Sequence, residues 1–505
     1  MAIRCGTEVD LHSFLFNVAC GCVLTMTIGS ALAAANPERP GFQRGLAAFI
    51  EQLRTVRQVP PGFVVVAVHG GDTVFEQAYG TRNLASGATL TLDTPIYNAS
   101  TTKAYTGLLA AILDDQGLLP LDATLKDVWP NIPPSSAFDP AAIRARALLA
   151  HSAGIHEGGI QFRSNFTGEI TAADVPRRLA AYAVKREPGY RYANFGPYVW
   201  SMMMEAELGV PWRDMIDRKV FEPLELRRTT ARLEDFPADE IARCHSWMSG
   251  SWQPVPLKPT PILNAAGGIY TSGRDSGRFL KAFLTDGKSA QNRITAAALR
   301  RSWVPVSVQD RDFFGLHRDG YGLGWDLGSY EEHRFVARSG GIAGCRSIIL
   351  FLPAAEFGIA VLSVGDAGAN LLNTSIVKQA IDLWTRSAQA TARSKLRVAE
   401  FAALKVTDPV DPRLQRAALD AAVSAAAVGV YENERLGRFT IAVGDGELHI
   451  SGGAFAAELV PVAGDEFLVM QPADPETEKF TLIRDAAGRV TGFMWDDDHY
   501  DRRAN

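Results

Sequence analysis

A chain of 505 residues, with 47% hydrophobic and 21% charged side chains, is neither disordered nor fibrous and can bury a large core in two or three domains. Its formal net charge of −5 and the lack of any Lys/Arg-rich run leave no electrostatic footprint for a nucleic-acid binder.

In chain order, the first element is FLFNVACGCVLTMTIGSALAAA (14–35), an apolar stretch that follows a weak basic signal at Arg4. It ends in small residues, with Ala31-Leu32-Ala33 as a cleavage site, so residues 1–35 read as a signal peptide for export to the periplasm or outside the cell. An uncleaved membrane anchor is the alternative that the length permits, and Glu8 and Asp10 are poor residues for a signal's basic region. Cys5, Cys20 and Cys22 would leave with the signal, and whether Cys244 and Cys345 then pair is not readable from spacing.

From 41 to 385, strand-like runs such as GFVVVAVHGG (62–71) and SIILFLP (347–353) flank amphipathic helices, the pattern of an α+β domain. An Ala-rich, partly helical linker follows at 386–427, with the turn signal TDPVDP. From 428 to 505, β-rich runs alternate with Gly-Asp and Asp-Gly turns, which predicts a small antiparallel sheet or barrel.

Within the large domain, YNASTTKAYTGLLAAILDDQGLL (97–119) predicts a helix: Tyr105, Leu108, Leu109, Ile112 and Leu113 fall at helical spacing and Gly117 supplies a stop. Ser100 stands at its N-terminus with Lys103 one turn along on the same face. Serine needs a base to become a nucleophile, and lysine is a base only when its pKa is depressed, which burial and a helix N-terminus both favour. The spacing alone is cheap, and a second Ser-x-x-Lys occurs at Ser375 and Lys378 in NLLNTSIVKQAIDLW, which reads as an ordinary surface helix with a solvated lysine. Only Ser100 is followed by suitable company. PGYRYANFGPYVW supplies Tyr192, a proton shuttle beside a cation, and Asn194, an amide for a substrate carbonyl. VARSGGIAGCRSIILFLP supplies Ser339, Gly340 and Gly341, small residues that let a substrate lie against a strand edge. The repeat of Tyr-x-Asn at Tyr431-Glu432-Asn433 reads as a turn in the C-terminal region.

YNASTTK, LLAHSAGI, PGYRYANFG, KVFEPLELRRTT, NAAGGIYTSGRD, YGLGW and RSGGIAGCRS, taken together and in this order, resemble the serine β-lactamase and penicillin-binding-protein superfamily. The branch concerned includes class C β-lactamases, D-aminopeptidases, D-Ala-D-Ala carboxypeptidases and related esterases. The resemblance implies an antiparallel sheet flanked by helices, with the site between it and a helical lobe. It implies Ser100 as nucleophile, Lys103 as general base, Tyr192 as proton relay and Asn194 as a substrate-orienting residue, with the N–H groups of Ser100 and Gly341 as oxyanion hole and no metal or other cofactor. It also sets two decoys aside. GRDSG (273–277) aligns with a structural turn before a helix, and His151 lies in a structural segment, five residues from His156, a spacing that suits no common metal motif.

Where the family's third motif begins with Lys or His, this chain has Arg338, which keeps the charge but cannot donate a proton at neutral pH. Two readings stand: Arg338 recognises a substrate carboxylate, or it points into solvent. The C-terminal region resembles the lipocalin-like barrel of some relatives, through VGVYENERLGRFTIAVGDGELHI and RDAAGRVTGF; in those it restricts access to the site or supports homo-oligomers. The expected function is an exported serine hydrolase working through a Ser100 acyl-enzyme on small peptides, including those with D-residues. Its alternatives are a carboxylesterase with the same machinery, and a β-lactamase or slowly acylating penicillin-binding sensor.

Overall fold

The computed structural model describes residues 39–56, 59–168, 170–470 and 478–503, so the signal read at 1–35 lies outside the described residues. The apolar run GFVVVAVH forms β1 (Gly62–His69). Val64, Val66 and Val68 face one hydrophobic core, and Phe63, Val65 and Ala67 face another. A strand covered on both faces has no need of polar residues, which is why its sequence is apolar without alternation. Around it stand β2 (Asp72–Asn83), β3 (Ala88–Thr89), β4 (Ser307–Phe313), β5 (Leu316–Tyr321), β6 (Asp326–Tyr330), β7 (His333–Ile342), β8 (Cys345–Leu352) and β9 (Phe357–Ser363). They form one antiparallel sheet in the order β4-β5-β6-β7-β8-β9-β1-β2-β3.

Seven helices matter to the site: α1 (Arg39–Val56), α2 (Thr102–Asp115), α3 (Gly158–Phe166), α4 (Phe195–Leu208), α5 (Gly273–Leu284), α6 (Ala369–Trp384) and α7 (Ala390–Ala403). The side chains of α2, α4 and α5 build the core on the Val64 face, within a helical lobe inserted between β3 and β4. Those of α1, α6 and α7 build the core on the Phe63 face.

Here the structure corrects the sequence reading. The helix α6 is not a surface helix: Leu372, Ile376, Val377 and Ala380 meet the sheet, and Ser375 and Lys378 are buried as well. The cause is α7, from the segment read as linker, which covers the outer side of α6. Phe401 packs into the same core, and Arg397 donates to Gln379 Oε1 at 2.5 Å and to Asp382 Oδ2 at 2.6 Å. GRDSG is likewise not a turn before a helix. It is the first turn of α5, capped by Ser272, whose hydroxyl accepts from Asp275 N at 3.2 Å.

The C-terminal strands β10 (Gly429–Asn433), β11 (Gly437–Gly444), β12 (Glu447–Gly452), β13 (Phe455–Ala463), β14 (Glu466–Met470), β15 (Glu478–Arg484), β16 (Val490–Trp495) and β17 (Asp498–Arg502) close into an antiparallel barrel. Alternate residues point inward, as the period of a strand requires, and Tyr431, Phe439, Phe480 and Phe493 fill the interior. Tyr431 therefore belongs to a strand rather than a turn; the turn begins at Asn433, whose Oδ1 accepts from Arg435 N and Leu436 N, each at 2.9 Å. Phe162 and Phe166 of α3 pack against the barrel interior, and Ala454 N donates to Thr167 O at 3.0 Å. The barrel thus sits on the element next to the active site of its own chain.

Candidate active site

Ser100 lies in a short 3-10 turn, Ala99–Thr101, that runs into α2, and its hydroxyl does not cap the helix. Asn98 anchors the turn: its N–H donates to Ile269 O at 2.9 Å, while its carbonyl accepts from Ser347 Oγ at 2.9 Å and Thr101 N at 3.1 Å. Strand β7 must come very close for this to work. A Cβ on Gly340 would sit 2.3 Å from Asn98 O, so the first glycine of the RSGG segment is a packing requirement. Gly324 in YGLGW is another, with φ +89° and room for no Cβ against the Lys103 carbonyl.

Lys103 is buried, and its Nζ donates to Ser100 Oγ at 3.1 Å, Asn194 Oδ1 at 2.8 Å and Ala266 O at 2.6 Å. Burial pushes its pKa down to about 8, against the pull of the Tyr192 oxygen and with added repulsion from Arg338. Tyr192 leaves much of its ring exposed but turns its hydroxyl inward, where it donates to Ser100 Oγ at 2.8 Å. Burial of that hydroxyl opposes its ionisation, but Arg338 and Lys103 outweigh this and bring its pKa down to about 8. Ser100 Oγ therefore faces two proton-carrying groups poised near neutrality.

Arg338 is buried, and none of its three nitrogens faces solvent alone. Nε donates to Ser100 O at 3.0 Å, Nη2 to Tyr192 Oη at 2.7 Å, and Nη1 lies 3.3 Å from Asp326 Oδ2. This rules out the solvent-facing reading; three of the five guanidinium N–H groups serve protein acceptors, and the side chain also lines the cavity beside Ser100. Asp326 is itself buried and shared with Arg318 Nη1 at 3.2 Å, while Arg318 Nη2 donates to Ser339 Oγ at 3.1 Å. His151 packs its ring 4.6 Å from that of Tyr192 and pairs Nε2 with Tyr321 Oη at 3.2 Å; burial, then Lys103 and Arg338, hold its pKa well below the ordinary value. It is a neutral support for Tyr192. Among the described residues, no three His, Cys, Asp or Glu side chains cluster as a metal site needs.

Two cavities meet at Ser100, and Gly341 and Ile342 line both. One, of about 510 Å³, contains Tyr192, Arg311, Arg318, Arg338, Ser339 and Gly340. The other, of about 530 Å³, contains Asn194, Val255, Leu257, Lys258, Ile262 and the barrel residue Phe455. With Oδ1 taken by Lys103, Asn194 keeps its Nδ2 donor for a ligand carbonyl. Cys244 and Cys345 form a disulfide that ties the β7–β8 turn to the wall of the second cavity.

The structure thus brings Ser100, Lys103, Tyr192, Asn194, Arg338, Ser339, Gly340 and Gly341 to one place. Sequence reasoning missed Asp326, Arg318 and Lys258. Asp326 adjoins the YGLGW segment, a signal that could have drawn attention to it, whereas Arg318 and Lys258 stand in no motif.

A serine whose hydroxyl is held by a buried lysine and a tyrosine, between a large antiparallel sheet and a helical lobe, defines a serine hydrolase of the β-lactamase fold. The chain belongs to the Beta-lactamase family, whose sequence model matches residues 46–379. Among curated proteins it is 27% identical over 337 residues to "Unguisins hydrolase ungD'" of Aspergillus campestris, covering 64% of this chain and 62% of that one. It is also 25% identical over 330 residues to "Penicillin-binding protein 4" of Amycolatopsis lactamdurans, covering 62% of this chain and 83% of that one. The chain thus spans about three fifths of the length of the first of these relatives. Among solved structures, the octameric penicillin-binding protein homologue from Pyrococcus abyssi shares the fold over 90% of this chain and 98% of its own, at TM-score 0.57 and 20% identity. D-amino acid amidase from Ochrobactrum anthropi does so over 70% of this chain and 99% of its own, at TM-score 0.55 and 21% identity.

Proposed function

We propose that the protein is an exported hydrolase of small peptides, including those with D-residues, acting through an acyl-enzyme on Ser100. The observation that carries this reading is the pair of hydrogen bonds converging on Ser100 Oγ, from Lys103 at 3.1 Å and Tyr192 at 2.8 Å. Three oxygen acceptors around Lys103 Nζ suit an ammonium, and Arg338 suits a phenolate at Tyr192. With Tyr192 ionised the 2.8 Å bond runs the other way: Ser100 Oγ–H donates to the phenolate, which takes the proton as Oγ bonds to the substrate carbonyl carbon, while Lys103 stays an ammonium. The carbonyl oxygen takes the N–H groups of Ser100 and Gly341, Tyr192 returns the proton to the departing amine, and water then hydrolyses the ester. No step needs a metal or other cofactor.

Peptide substrates are supported by a nucleophile flanked by room on both sides, and by relatives described as a hydrolase of unguisins and an amidase of D-amino acids. The Cys244–Cys345 disulfide supports export, because such bonds persist in oxidising compartments. The octameric state of one structural neighbour makes self-association part of the proposal. The test is turnover of matched amides and esters with D- and L-acyl residues, with Ser100→Ala as the blank. Ser100-dependent amide cleavage supports the peptidase. Ester-only turnover replaces it with a carboxylesterase, and stoichiometric acylation without turnover with a sensor.

A further inference from the structure

The second cavity holds a charge that the mechanism above does not use. Among the described residues lining it, Lys258 alone is charged, and its other walls include Phe166, Val255, Leu257, Ile262 and Phe455. Lys103 has three oxygen acceptors within 3.1 Å, but among the described residues Lys258 Nζ has neither a hydrogen-bond acceptor nor a carboxylate partner. Its Nζ lies over the face of Tyr97, with the ring centroid 5.9 Å away, which attracts a cation weakly and does not neutralise it. The backbone there is fixed: Lys258 N donates to Tyr270 Oη at 3.0 Å, and prolines stand at 256 and 259. Burial lowers its pKa to about 8, with Lys103 adding repulsion and no acidic group opposing. A half-buried ammonium without an acidic partner, on the wall of an otherwise uncharged and largely apolar cavity beside a nucleophile, is a ready partner for an anionic group of a ligand.

The cavity's place in the reaction follows from its lining. Tyr192, which hands its proton to the departing group, lines the other cavity; Asn194, which keeps an amide donor for a carbonyl, lines this one. The acyl half of the substrate therefore lies with Lys258. We propose that Lys258 is an anion subsite for that acyl half, which carries a carboxylate at the end of an apolar body: an acidic residue or a dicarboxylic acyl group. This rests on the reading that Ser100 is the acylated residue.

Two p-nitrophenyl alkylphosphonates, differing only in a terminal carboxylate or its methyl ester, test this without turnover. Ser100 Oγ bonds to phosphorus, p-nitrophenolate leaves with the bonding electron pair, the serine proton goes to Tyr192, and the labelled residue is read by mass spectrometry. In the wild type the carboxylate compound should label Ser100 about tenfold faster, the worth of one partly buried charge-assisted hydrogen bond. The ratio should fall to about one in Lys258→Met and stay high in Lys258→Arg. A ratio near one in the wild type, or an unchanged ratio in Lys258→Met, overturns the subsite while leaving the nucleophile in place. No labelling of Ser100 by either compound overturns the hydrolase reading and the subsite with it.

Discussion

Ser100 in the 3-10 turn that leads into α2, with Lys103 on the first turn of that helix, and Ser375 with Lys378 in the middle of α6, share spacing, a buried lysine and a depressed lysine pKa. They differ in what surrounds the serine oxygen. Ser100 Oγ receives two hydrogen bonds and opens onto two cavities, whereas Ser375 Oγ is enclosed with no hydrogen-bond partner among the described residues and Lys378 Nζ donates to Phe314 O at 2.7 Å. Neither spacing nor lysine burial makes a nucleophile. Donors directed at the oxygen, and empty space beside it for a carbonyl carbon, are what distinguish the two.

The comparison breaks most readily at the lysines. Lys103→Met should lower kcat/KM on the order of 10³-fold, while Lys378→Met should leave it within about twofold; equal losses would mean that both act through folding. Tyr192→Phe should cost on the order of 10²-fold, because the hydroxyl carries the proton both ways, and a small loss would move the base work to Lys103 alone.

Arg338→Met sharpens the contrast through pH. With Lys103 and Tyr192 each near about 8, activity should peak around that pH, falling on the acid side as the phenolate is protonated and on the alkaline side as the ammonium is lost. Arg338 lowers the Tyr192 pKa, so its removal raises it and moves the acid limb to higher pH, with about a tenfold loss at pH 7. An unmoved acid limb would show that Arg338 does not support the phenolate. The smallest effect belongs to Ser375→Ala, which removes an enclosed, unpartnered hydroxyl from a helix and should stabilise the fold by about 0.5 to 1 kcal/mol in denaturant melts. Destabilisation would show that the hydroxyl has a partner after all.

Much of this was legible in the sequence, where local pattern and tertiary need agree. The run at 62–69 is apolar because the sheet is covered on both sides, and Gly117 ends α2 because it adopts φ +66°. The order of Ser100, Lys103, Tyr192 and Asn194 along the chain was informative because the resemblance located each on a distinct motif. What escaped depends on pairings between distant segments. Asp326 and Arg318 reach Arg338 only through the cross-strand register of β5, β6 and β7, and the surroundings of Arg338 were misread without them. The helix α6 looked exposed because its polar residues are covered by α7, eleven or more residues away for Asp382 to Arg393 and beyond. Lys258 stands in a proline-flanked loop with no period to reveal its surroundings, and Cys244 and Cys345 are 101 residues apart.

The most direct measurement of the central claim is rapid-mixing release of p-nitrophenol from an activated ester by the wild type, Ser100→Ala and Ser375→Ala. The account predicts release that is lost in Ser100→Ala alone, with a burst of about one equivalent per chain if deacylation is slow and steady turnover if it is fast. Release that survives Ser100→Ala, or its absence from the folded wild type, would contradict it.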